Sequence, residues 1–153
     1  MLAVRLVTLA TLFLPLSAIS AYNPDRIKDA IGANQTMFSV TGWKKADKDN
    51  GWVAETPERL LSLTVSDNIS TVRSPHISPK QKVISKKRCV ELGLIGINPI
   101  SKEEKEKVSY LVKMATQKHI TQFTDINGIR FEVLPEMKGT YVSLLCRIKP
   151  SAI

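Results

Sequence analysis

Cys89 and Cys146 are the only cysteines in the chain, and they bracket its most patterned stretch. Arg88 to Ile95 reads as a strand, Lys102 to His119 as a helix and Ile129 to Ile148 as a hairpin. The cysteines thus fall in the first and last strands of one strand–helix–hairpin unit, which predicts that a single disulfide closes it. Such bonds persist in oxidising compartments, and two buried free thiols are the competing reading. The pairing carries one parity conflict. In a regular strand Cys89 points away from Val90, Leu92 and Leu94, so either a bulge near Gly93 turns it or both strand faces are covered.

The first twenty residues supply the compartment. Arg5 is the n-region charge, Leu6 to Leu16 form a short apolar run, and Ala18-Ile19-Ser20 places small residues at both cleavage-determining positions. The run is too short to cross a bilayer and is broken by Pro15. A signal peptide over residues 1–20 is expected, leaving 21–153 as one secreted domain, extracellular or, in a bacterium, periplasmic.

The helix has the firmest signals. Ser101 and Glu104 stand at capping-box spacing, Glu103 and Glu104 lie at the positive end of the dipole, and Lys118 and His119 at the negative end. Val108, Leu111, Val112, Ala115 and His119 share a core-facing stripe. In the hairpin, Ile129, Phe131 and Val133 alternate with Arg130 and Glu132, and Val142, Leu144, Cys146 and Ile148 repeat the pattern after a turn around Glu136 to Gly139. Cys146 and the stripe should therefore face a shared core, with Glu132 on the outer face. Pro135 ends the first strand or places it on an edge.

Earlier in the chain, Ile27, Ala30 and Ile31 share a helical face, with Gly32 as a stop. Met37 to Trp43 alternates, Asp47 to Gly51 is a dense turn signal, and Trp52-Val53 restarts an apolar run, which together predict a hairpin. Thr56-Pro57-Glu58 resembles a helix start, yet Leu61, Leu63 and Val65 alternate as a strand, so a brief turn entering a strand is expected. Ser66 to Lys87 is rich in Ser, Pro and Lys and reads as a long surface loop. The resulting fold class is α+β: an antiparallel sheet of about five strands, with one main helix over 102–119 packed on one face and a single disulfide. There is no internal repeat or heptad run, and a monomer is expected.

No catalytic or ligand motif stands out, so charge carries most of the functional argument. The formal charge is +8, and losing Arg5 with the leader leaves +7, a balance that favours anionic partners. Arg73, Lys80, Lys82, Lys86, Lys87 and Arg88 occur with no acid between Asp67 and Glu91, making this segment the candidate anion-binding site. It lacks the interleaved aromatics that stack on bases, so nucleic acid binding there would be non-specific. A solvated loop that keeps a basic protein soluble is the plainer reading. His119 is the candidate catalytic residue of a ribonuclease-like alternative, which needs a general acid–base pair and a cation. Its place in an apolar stripe favours a structural imidazole over a catalytic one, and His76 reads as a loop residue.

Asp47, Asp49 and Glu58 match three positions of a calcium loop, but Trp52 stands where glycine is required, so a hairpin turn is expected instead. Two cysteines and two histidines without a close-spaced pair serve zinc poorly, and neither metal nor cofactor is expected. Asn34 and Asn68 head N-glycosylation acceptor triplets for a eukaryotic host. Trp43 and Trp52 are either core residues or anchors for a partner. The function expected is that of a small secreted basic interaction protein, effector- or inhibitor-like. It would bind an extracellular or host partner without catalysis, and a secreted ribonuclease-like RNA binder is the alternative.

Overall fold

Alternation along the strands builds one face of a sheet out of apolar side chains, and the helices lie on that face. The computed structural model describes residues 22–33, 42–47, 50–55, 61–74, 78–139 and 141–152. In order, its elements are α1 (Pro24–Ala33), β1 (Lys44–Lys45), β2 (Trp52–Glu55), β3 (Ser62–Val65), β4 (Ser70–Arg73), α2 (Pro79–Gly96), α3 (Lys102–Lys118), β5 (Gln122–Ile126), β6 (Ile129–Lys138) and β7 (Tyr141–Pro150). The strands form one antiparallel sheet in the order β1-β2-β3-β4-β7-β6-β5. The α+β class, the antiparallel sheet and the disulfide are as expected. The described residues hold seven strands and three helices, however, in place of about five strands and one main helix.

The buried row Leu63, Val72, Cys146 and Val133 runs across four strands by direct pairing, and Val65, Ser70, Ile148 and Phe131 form the row beside it. Residue 61–65 behaves as the alternation predicts. An antiparallel pair is present as β1 and β2, but its first arm is Lys44–Lys45 and not the alternating stretch ending at Trp43, and Met37 to Thr41, Lys48 and Asp49 lie outside the described residues. Strand β6 runs past Pro135 to Lys138. Its pairing with β5 stops at Val133, so among the described residues Pro135 faces only Leu144 of β7 and sits where the other side of β6 is an edge.

The largest correction is α2. The strand expected over 88–95 and much of the loop expected over 66–87 are one helix, preceded by β4. Ser78 and Gln81 form a capping box around its start, and Pro79 sits in the first turn, where a missing N–H costs nothing. Its core face is made of small residues: Ser85, Cys89, Gly93 and Gly96, with Leu92. A helical Cys89 also removes the parity conflict, because its side chain points inward with no bulge. The Cys89–Cys146 disulfide, with Cα atoms 5.5 Å apart, ties the middle of α2 to the central strand β7. Arg26 of α1 donates to the carbonyls of Ile95 and Gly96 at 2.9 and 2.8 Å, satisfying two acceptors at the α2 C-terminus, where the Ile97 N–H donates to the Gly93 carbonyl at 3.0 Å.

The first helix starts at the Asn23 side chain, which accepts from the Arg26 N–H at 2.9 Å, and runs one residue past Gly32. Just before it, the Tyr22 hydroxyl donates to the Ser66 carbonyl at 2.7 Å and meets the Ser70 hydroxyl at 2.9 Å. Burial pushes this phenol up to about 12.

The opposite sheet face carries cross-strand ion pairs. Arg73 meets Glu136 at 2.9 Å, Lys149 meets Glu132 at 3.0 Å, Arg147 hydrogen-bonds the same Glu132 carboxylate, and Arg130 pairs with Asp125 at 2.8 Å. Burial raises the Glu132 carboxyl, but the bonds from Arg147 and Lys149 outweigh it and hold the group below its usual range. Hydrogen bonds from Arg130 and Ser151 hold Asp125 at about 2 instead of 3.8. Both acids ionise more readily folded than unfolded, so each adds stability above the ordinary carboxylate range and loses it as pH falls. The urea midpoint is expected to drop between about pH 4 and about pH 2, and the double variant Asp125→Asn, Glu132→Gln to flatten that drop. An equally deep drop in the variant would assign it to other groups.

Candidate anion-binding surface

The six cations expected to act together are divided by the fold. Arg73 is on β4, paired with Glu136 on the sheet face away from α2. The other five are on α2, where the helix gives them different surroundings. Lys80 and Lys87 stand at i and i+7 on the exposed stripe, with Val83 between them 69% exposed. Lys82 and Lys86, four residues apart, are half-buried. Arg88 turns inward to donate to Glu91 at 2.7 Å, and Lys87 approaches the same carboxylate at 3.8 Å. Burial raises the Glu91 carboxyl, and Arg88 and Lys87 partly offset that rise. Lys80, Lys82 and Lys86 therefore carry no ion pair among the described residues, whereas Arg73, Lys87 and Arg88 are compensated to differing degrees.

Helix α3 extends the positive layer, which the segment between Asp67 and Glu91 did not reveal. Together α2 and α3 hold ten Lys or Arg and four Glu, a surplus of six against +8 for the whole chain. Two of the four acids are engaged: Glu91 as above, and Glu104 with the Ser101 backbone N–H at 2.7 Å. From Lys107 to Lys118 there are three lysines and no acid, all exposed, with Tyr110 exposed among them. Val83 and Tyr110 are the residues the charge argument missed. A break in the polar pattern of a helix's solvent face is the signal that finds them.

The placement of His119 is corrected. Helix α3 ends at Lys118, and His119 follows in the left-handed region at φ 55°, exposed at the helix end. Leaving helical geometry swings its side chain off the stripe, and Thr116 takes the buried place beside Val108, Leu111, Val112 and Ala115. Among the described residues His119 has no hydrogen bond or ion pair. A recess of about 310 Å³ on β1–β3 is lined by Lys44, Val53, Ser62 and Thr64 among others and does not include His119. His76, Asp49, Glu58 and Asn34 lie outside the described residues.

Asn68 is exposed in the turn between β3 and β4, which the Ser66 N–H closes by donating to the Ile69 carbonyl at 2.9 Å. Trp43 is half-buried against the core, and Trp52 is half-buried with Lys28 lying 4.2 Å and Lys45 5.5 Å from its ring centre. No helix among the described residues is long and apolar enough to cross a membrane, and no group of three His, Cys, Asp or Glu among them could hold a metal ion. No known family model, curated protein or solved structure matches the chain.

Proposed function

We propose that the chain is a small exported binding protein whose leader, residues 1–20, is removed, and which acts without catalysis on an extracellular or host protein. The partner would present an acidic surface to α2 and α3. The observation that carries this reading is the six-charge surplus on those two helices, with Val83 and Tyr110 exposed among the lysines. Lysine alone is depleted from interface centres, whereas an exposed tyrosine amid cations supplies the apolar contact area that a docking face needs.

The variant Lys80→Gln, Lys82→Gln, Lys86→Gln, Lys87→Gln tests the site. Its affinity for polyglutamate and for a single-stranded RNA oligonucleotide is expected to fall, and the dependence on salt to flatten. On RNA each lost phosphate contact removes about 0.7 of log–log slope. Unchanged slopes on both polymers would assign these charges to solubility. Specific cleavage of the RNA, lost in a folded His119→Ala variant, would replace the reading with the ribonuclease-like one.

A further inference from the structure

The two edges of the sheet differ sharply in how they are guarded. Strand β1 has two residues, both exposed lysines, which are the usual means of stopping a sheet from growing. Strand β5 has five residues, Gln122-Phe123-Thr124-Asp125-Ile126, with no lysine and no proline. Its backbone pairs with β6 alone among the described residues. Two large apolar side chains flank this open edge, Ile120 at 51% and Phe123 at 56% exposure.

Charge says which partner suits such an edge. From Ile120 to Phe131 the chain holds one acid, Asp125, and one base, Arg130, bonded to each other by two contacts of 2.9 and 2.8 Å. The Arg130 guanidinium also lies 4.8 Å from the centre of the Phe123 ring. In a protein of charge +8 this stretch is neutral, so two copies can approach here without the repulsion that their helical layers would meet. An acidic protein, by contrast, gains nothing from choosing it.

We propose that β5 is a self-association edge, at which a second copy of this chain adds its own β5 antiparallel, about a two-fold axis through Thr124. A five-residue strand centred on Thr124 then pairs in full. Thr124 faces Thr124 of the second copy, Gln122 faces Ile126, and Phe123 faces Asp125, so like charges are never directly opposed. Each Phe123–Arg130–Asp125 cluster meets the other on the outer face. Five residue pairs and four apolar side chains amount to a small interface, so the dimer is weak, with dissociation in the range of roughly 10 µM to 1 mM.

Sedimentation equilibrium of the exported chain over that range is expected to show the mean mass rising from monomer toward dimer. Hydrogen exchange at the amides of residues 122–126 should slow as concentration rises. Phe123→Lys and, separately, Ile120→Lys are expected to weaken dimerisation by about tenfold or more. Both positions are exposed, so unchanged circular dichroism should confirm folded variants, and Tyr110→Lys on α3 should dimerise like the parent. A monomer throughout the range overturns the proposal. So does a dimer that survives both edge variants, or one that Tyr110→Lys alone dissolves. Capture of a foreign extended peptide by a chain that stays monomeric would also overturn it, by making the edge a docking strand for other proteins.

Discussion

Replacing both cysteines, Cys89→Ala with Cys146→Ala, is expected to lower the unfolding free energy by about 4 kcal/mol. The two residues are 57 apart in sequence, and closing a loop of that length removes about this much chain entropy from the unfolded state. Net stabilities of domains this size run from about 5 to 15 kcal/mol, so the loss would be a large share of the whole. Urea denaturation of the parent and the double variant measures it, and a loss under about 1 kcal/mol would mean that packing alone holds α2 on the sheet. Because both sulfurs are buried, dithiothreitol should cleave the bond only as the protein opens. The parent denatured without reductant should show no reactive thiol.

The second large effect is expected at Gly93→Val. A Cβ at Gly93 stands 2.8 Å from Val108 Cγ1 and 3.2 Å from Phe131 Cε2, and both neighbours are fully buried. Neither is the loose end of a flexible chain, so α2 must lift from α3 and the sheet. Overpacking of this kind costs about 1–3 kcal/mol. Alanine recovers up to about 1 kcal/mol of that through better helix propensity, so Gly93→Ala should lose less than the valine variant, up to about 2 kcal/mol. Valine adds two methyl groups and recovers less, and a net loss of about 2–3 kcal/mol is expected. Equal urea midpoints for the valine variant and the parent would show that α2 does not approach its neighbours as closely as described.

The same small residues explain why α2 was illegible in the sequence. Apolar periodicity announces a helix when its core face is built from large side chains, as with Val108, Leu111 and Val112 in α3. Where the core face is Ser85, Cys89, Gly93 and Gly96, the pattern has no amplitude. The local signal was nevertheless present, since Ser78-Pro79-Lys80-Gln81 repeats the capping logic of Ser101 to Glu104. Strand β5 was likewise signalled by Asn127-Gly128, a two-residue hairpin turn between Ile126 and Ile129, with φ of 51° and 76° at its centre. Residues of the candidate surface were readable as charges, but their grouping was not. Arg73 leaves the group because β4 turns it to the far face, and Arg88 because a helix brings Glu91 within reach three residues on. The stripe of α3 was read one residue too far: only the backbone turn at the helix end decides that His119 leaves it.

The position of β7 has a consequence for how the chain is assembled during synthesis. It is made after the other six strands described, yet it lies between β4 and β6 at the middle of the sheet. Until residues 141–150 leave the ribosome, no strand pairing joins β1–β4 to β5–β6, and β4 and β6 both await the same segment. The sulfur that Cys89 needs arrives with that segment, so neither the sheet nor its covalent tie can be completed before β7 is made. The sheet is therefore completed only when β7 enters between β4 and β6.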